Sequence, residues 1–356
     1  MRKSRLFGAA ILSGAVLAAT PNLAAAAPPE ETAAGAGGSG VVSSGEIPEA
    51  LAGADYWTST RLASARPATP VRPETPVPNS AEPRAAGGPS VSVAPTKAGG
   101  PAATEAAAAE EPEALHAGSV PRPYTNYPDR LNGKVFFAKY TAGGTFQGNF
   151  VCSGTVVNSE NKSIVWTAGH CVHGGRGGSF HRNWIFIPAY SSSFNGHEPY
   201  GRYTRRELWT RTEWASNSNF RQDVGAAVVN RRNNIRIVDA LGGQGITFNQ
   251  SRSQTFRSYG YPQASPFNGF LQWVCVSGRI SDDFPAGVGP ATIKIHCNMT
   301  GGSSGGGWLI RMATSGLGYV NSVNSYRYGS TPDNIFGPYH GNEALSLYNT
   351  VRSRPA

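Results

Sequence analysis

From Tyr124 onward the chain is a succession of short β-branched and aromatic runs separated by Gly, Asn and Ser, and this texture restricts its fold more than any other feature. Lys134–Tyr140, Ser163–Trp166, Trp184–Ile187, Val224–Val229, Gln272–Ser277, Ile293–His296 and Gly318–Val323 have strand length and strand composition. Runs of this kind at regular spacing, with turn residues between them, predict an all-β sandwich or barrel. Only Asn342 to Val351 reads as a helix, with Leu345, Leu347 and Tyr348 available to pack. Roughly 235 residues suit a single all-β domain, and no solenoid period interrupts the pattern.

The chain before this point has a different composition. Residues 27–120 are rich in Pro, Ala, Gly and Glu, as in Arg72-Pro73-Glu74-Thr75-Pro76, and hold few large apolar residues. Little burial is then available to offset the entropy of ordering the backbone, so a disordered linker or propeptide is expected. Ala102 to Glu111 has the alanine content of a transient helix, stopped at Pro112. Residues 1–26 read as a signal peptide: Met1 to Arg5 is basic, Leu6 to Ala19 is apolar, and Ala24, Ala25 and Ala26 supply the small residues of a cleavage site after Ala26. The apolar run is about 14 residues long, against the roughly 20 needed to span a bilayer. A secreted, extracellular protein without stable membrane insertion follows, with 121–356 as its folded domain.

Cys152, Cys171, Cys275 and Cys297 are the only cysteines and all lie in that domain. An even count in an exported chain reads as two disulfides, with three connectivities open. No C-x-x-C pair is present, which leaves metal and redox motifs without support; no cofactor is expected. The net charge of +9 divides into +3 for residues 1–26, −6 for 27–120 and +12 for the remainder. A basic surface attracts acidic polymers non-specifically. With arginine scattered and no nucleic-acid-binding motif, no nucleic acid partner is expected.

Three segments carry chemistry, in one order: Trp166-Thr167-Ala168-Gly169-His170-Cys171, then Gln222-Asp223 followed by Val224 to Val229, then Thr300-Gly301-Gly302-Ser303-Ser304-Gly305-Gly306-Gly307-Trp308. Singly, each has an ordinary explanation. A lone histidine is usually structural, an aspartate can merely precede a strand, and a Gly/Ser run can be a linker. The glycine run lacks the G-K-[ST] ending of a phosphate loop.

Together the segments resemble the chymotrypsin/trypsin-like serine peptidases, including bacterial secreted members of the glutamyl-endopeptidase kind. Those show T-A-[AG]-H-C, an aspartate before an apolar strand, and G-x-S-G-G, in the order His, Asp, Ser. Thr167–Cys171, Asp223 and Gly302–Gly306 match these motifs, and the likeness runs from about Gly133 to Val351. It implies two packed antiparallel β-barrels with a C-terminal helix, a monomer acting on protein or peptide substrates, and a triad of His170, Asp223 and Ser304. The amides of Gly302 and Ser304 would form the oxyanion hole. The motif frame puts Ser304, not Ser303, at the nucleophile. The resemblance also implies the pairs Cys152–Cys171, clamping the loop of the catalytic base, and Cys275–Cys297. His173, His181, His197, His296 and His340 lack the motif and are expected on surfaces or loops.

Two departures bear on activation and specificity. Ser303 stands where many animal members carry the aspartate that receives a new N-terminus. Asn298 stands six residues before Ser304, where trypsin-like members carry an aspartate, so a preference for Arg or Lys lacks its usual basis. The pocket histidine of glutamyl endopeptidases has no counterpart among Val320, Asn321 and Ser322. Asn298 and Ser322 are the candidate specificity residues, with Asp282 and Asp283 as further acids whose reach to the pocket the sequence does not show. An α/β-hydrolase would need the opposite order of nucleophile and histidine. The alternative is a catalytically silent, protease-like binding module.

Overall fold

The computed structural model describes residue 1 and residues 34–37, 40–49, 52–68, 70–72, 87–100, 116–191 and 198–356. The chain divides into a unit of residues 1–31, of which only Met1 is described, and a unit of residues 32–356. The signal peptide, its cleavage site, the Ala102–Glu111 segment and His197 therefore lie outside the described residues.

Two β halves make up the second unit. In the first, Asn132–Tyr140, Phe146–Val157, Ile164–Thr167, Gly225–Val229, Tyr203–Arg211 and Arg182–Pro188 pair antiparallel in a ring of six strands. Closing the ring removes the unpaired edges that an open sheet would expose. In the second, Asn334–Gly337, Thr292–His296, Trp273–Asp283, Thr255–Gly260, Gly307–Ile310, Tyr319–Val323 and Gly245–Phe248 follow one another across a sheet whose path stays open. Its one deviation from antiparallel order among these is the pairing of Gly245–Phe248 with Tyr319–Val323. The all-β, two-barrel expectation holds in this form, with the helix Asn342–Val351 at the end of the chain. That helix buries Ala344, Leu347, Tyr348 and Val351 in a core shared by both halves, alongside Val135, Trp166, Leu309 and Val320.

The structure corrects three expectations. Strands Tyr203–Arg211 and Gly307–Ile310 were not distinguished in the sequence: charged residues break up the first, and the second is a four-residue run directly behind the glycines of the serine loop. Helices are not confined to the tail: Ser59–Ser64, Thr212–Asn217 and Ile237–Leu241 are short turns of helix set between strands. Disorder throughout 27–120 does not hold either. Val41–Ser43 pairs with Tyr203–Arg211, Arg66–Pro67 with Phe146–Val157, Val91–Val93 with Gly245–Phe248, and Gly118–Ser119 with Trp273–Asp283. Trp57 is buried against Phe136 and donates its indole N–H to the Asn183 carbonyl. Composition measures what a segment can bury against itself. Here the edges and apolar face of the neighbouring barrel supply the partners, so one tryptophan and a few ladder bonds order an otherwise core-less stretch.

Candidate active site

His170 sits where the strand Ile164–Thr167 gives way to a three-residue turn, Gly169–Cys171. The Thr167 hydroxyl donates to the Ser153 carbonyl at 2.8 Å, and the Cys152–Cys171 disulfide ties the turn to the neighbouring strand. His181 Nε2 donates to the His170 carbonyl at 2.9 Å, and Trp184 Nε1 to the Cys171 carbonyl at 3.0 Å. Gly169 fits because a Cβ there would come within 2.8 Å of Trp214 and 2.9 Å of Asp223 Oδ1. A Cβ there would have to displace one of these neighbours.

Asp223 ends a short 3-10 turn, Phe220–Gln222, which leads into the buried strand Gly225–Val229. Its side chain is fully buried and accepts three hydrogen bonds. Oδ1 takes the His170 backbone N–H at 2.8 Å, and Oδ2 takes His170 Nδ1 at 2.8 Å together with the Ser325 hydroxyl. A carboxylate so placed fixes one imidazole tautomer, with the proton on Nδ1. His170 Nε2 is then left as the acceptor. It is buried and has no hydrogen-bond partner among the described residues. The Trp214 ring packs beside the imidazole at 6.0 Å between centroids.

The serine loop is shaped by glycine. Gly302 and Gly305 have φ of +101° and +80°, in the region L side chains rarely enter. A Cβ on Gly305 would lie 2.0 Å from Thr167 Oγ1, so the loop packs directly on the strand that carries the histidine. The two candidate serines differ in their surroundings. The Ser303 hydroxyl donates to the Thr300 carbonyl at 2.8 Å, which occupies it in holding the turn. Ser304 is almost fully buried, and its carbonyl accepts from Ser153 N–H at 2.6 Å.

The solved structures similar to this chain include two proteases. The protease Anisep from Arthrobacter nicotinovorans is 43% identical over 67% of this chain and 99% of its own, with a TM-score of 0.56. The thermostable serine protease AL20 from an extremophilic microorganism is 39% identical over 64% of this chain and 98% of its own, with a TM-score of 0.55. This chain belongs to the chymotrypsin-like serine proteases. A scan against family models and a search of curated proteins return no match.

Two residues of the protease site were missed in the sequence. Ser325 donates to Asp223 and so shares the acid with His170. Asn324 is a hub beneath the serine loop. Its Nδ2 donates to the carbonyls of Ser303 (3.0 Å) and Tyr259 (2.9 Å), while its Oδ1 accepts from Ser258 (2.7 Å) and Trp308 Nε1 (2.6 Å). Both follow the strand Tyr319–Val323, and nothing in the sequence separates them from Ser322.

The candidate specificity residues each have partners within the fold. Ser322 is fully buried and its hydroxyl donates to the Pro338 carbonyl at 2.8 Å. Asn298 Oδ1 accepts from the Ala117 backbone N–H at 2.8 Å, so the segment before the domain reaches it. Asp282 is paired with Arg252 and Arg279. Asp283 is fully buried beneath Tyr326 and Tyr328. His173, His181 and His340 are buried rather than on the surface. Burial holds His173 down at about 4 and His340 at about 3, and pushes His181 well below the usual histidine range. Each is therefore a neutral packing residue. The second disulfide joins Cys275 and Cys297, on neighbouring stretches of the second half.

Proposed function

We propose that the protease is an exported endopeptidase that works through Ser304, His170 and Asp223 and an acyl-enzyme intermediate. The observation that carries the reading is the fully buried carboxylate of Asp223, hydrogen-bonded at once to the backbone and the Nδ1 of His170. A serine hydroxyl is a weak nucleophile at neutral pH and needs a base. With its proton held on Nδ1, His170 offers the Nε2 lone pair. Ser304 Oγ attacks the peptide carbonyl while its proton passes to Nε2, and Asp223 stabilises the imidazolium. The amides of Gly302 and Ser304 stabilise the oxyanion, a contribution of about 100- to 1,000-fold per donor. As the C–N bond breaks, His170 returns the proton to the leaving amine. Water then hydrolyses the ester, with His170 again as base. Only the neutral imidazole can begin the cycle, so activity rises on leaving the acid range.

Residues 1–26 serve as the signal peptide, 27–120 as the propeptide and 121–356 as the peptidase domain, acting as a monomer on protein or peptide substrates. The positions of residues 66–68 and 70–72 support the propeptide role. Pro67, Ala68 and Pro70 line a cavity of about 360 Å³ together with His170, His173 and Trp214. Ala68 N–H donates to the Val151 carbonyl at 3.1 Å on the first half, and Val71–Arg72 pairs with Arg327–Tyr328 on the second. A segment so held shields the catalytic histidine until it is cut away. The test is peptide cleavage by single variants. Ser304→Ala and His170→Ala should abolish it and Ser303→Ala should keep it; cleavage by Ser304→Ala would remove the assignment.

A further inference from the structure

The side chain of Arg72 ends in an unusual place. Its guanidinium carbon lies 5.1 Å from the ring centroid of Phe220, 5.7 Å from that of Tyr326 and 5.8 Å from that of Tyr328. We propose that these three rings, set over the buried carboxylate of Asp283, form a subsite of the substrate cleft for a cationic side chain. Arg72 fills it in the precursor; once that segment leaves, a Lys or Arg of the substrate takes its place. The inference rests on the triad reading above and adds to it a substrate class.

Four observations carry it. First, the box is built before any ligand enters. Tyr326 packs against Phe220 at 5.0 Å and edge-on to Tyr328 at 5.7 Å, and Phe336 stacks on Tyr326 at 5.0 Å and meets Tyr328 edge-on at 5.2 Å. Second, it carries negative potential. Ring faces attract cations, and Asp283 Oδ2 accepts from the Tyr326 hydroxyl at 2.6 Å and the Tyr328 hydroxyl at 2.8 Å. Both phenols therefore donate to one fully buried carboxyl group beneath the rings. Third, the box adjoins the reacting groups. Tyr326 directly follows Ser325, which donates to Asp223, and Phe220 packs on Trp214, which packs on His170. Fourth, the backbone edge beside it accepts an extended chain, because Arg72 pairs there with Tyr328. Any extended peptide laid along that edge presents side chains to the same rings.

A planar guanidinium suits three aromatic faces better than a compact ammonium, so Arg should outrank Lys. This specificity is independent of Asn298, and it gives the enzyme a preference for basic substrates that the primary pocket does not supply.

The test uses the full chain and a small reagent that labels the active-site serine. Arg72→Met should label Ser304 at least about fivefold faster than wild type, because the anchor of the covering segment is lost, whereas Arg72→Lys should stay within about twofold. The Arg72→Met protein is then given peptides in which Arg or Met is moved through the four positions on each side of the cleaved bond. Arg should speed cleavage at least about fivefold at one position, and adding Tyr328→Leu should bring that ratio to about one. Equal labelling of wild type and Arg72→Met overturns the inference, as does an Arg preference that is absent or that survives Tyr328→Leu. If Ser304 labels in none of the proteins, the triad reading itself fails, and the substrate role of the box fails with it.

Discussion

Replacing Asp223 by asparagine should separate catalysis from stability. Three donors converge on this carboxylate: His170 N–H on Oδ1, and His170 Nδ1 with the Ser325 hydroxyl on Oδ2. In Asp223→Asn the amide oxygen can stay opposite the His170 backbone N–H, which places the NH2 group against Nδ1 and Ser325. The serine hydroxyl can rotate and accept, and Nδ1 can accept if the imidazole proton moves to Nε2. Every hydrogen bond is then kept, so the loss of stability should not exceed about 2 kcal/mol. The base, however, is gone, because Nε2 now carries a proton and cannot take one from Ser304. The same substitution in the serine-protease template lowers kcat by about 10,000-fold, equivalent to about 5.5 kcal/mol of barrier at 1.36 kcal/mol per decade. Asp223→Ala should lose activity and stability together, since it leaves the His170 N–H buried without an acceptor, at about 1–3 kcal/mol. The assay pairs kcat on a peptide substrate with thermal unfolding of each variant. An asparagine variant within about tenfold of wild type, or one that unfolds like Asp223→Ala, would refute the tautomer argument.

Three further outcomes can be checked on the same protein. Serine at both Cys152 and Cys171 opens a loop of 19 residues, which the chain-entropy relation values at about 3 kcal/mol; an unchanged denaturant midpoint would contradict this. Trp57→Ala should cost the full chain about 3 kcal/mol, by opening a cavity against Phe136 and deleting the bond to Asn183, and a neutral effect would mean that the segment before the domain is not anchored there. Stability should fall as pH drops from about 6.5 towards 4. His173 and His340 are held by burial at about 4 and about 3, so over that range the unfolded chain takes up protons that the folded chain refuses, at about 3 kcal/mol or more each by pH 3. Asp129, raised to about 6 by burial, works in the opposite direction between about 6 and 4 and offsets only part of this. A protein more stable at pH 4 than at pH 7 would contradict the balance.

What could be read in the sequence follows from how local each signal is. The motif around His170 and the glycine-flanked Ser304 are continuous stretches whose residue types are required by turns and close packing, and Asp223 lies at the mouth of an apolar strand. The helix Asn342–Val351 was legible because its ends and packing residues lie in one run. Ser325 and Asn324 were not, because their roles depend on which carboxylate and which loop the second half folds against. Ser322 looked equivalent to them and is turned instead to the Pro338 carbonyl. The strands before residue 120 were illegible for a related reason. Val41–Ser43, Arg66–Pro67 and Val91–Val93 are ordered by edges that other segments supply, and a window of composition contains no record of those edges.

The central claim is that one hydroxyl, that of Ser304, is activated by the His170–Asp223 pair. Its most direct test is to treat the protein with a reagent that phosphonylates activated serines, digest it, and locate the adduct by mass spectrometry. The account predicts a single adduct on Ser304 in wild type and in Ser303→Ala. It predicts none in Ser304→Ala, and loss of labelling in His170→Ala. An adduct on Ser303, or undiminished labelling of Ser304 without His170, would contradict it.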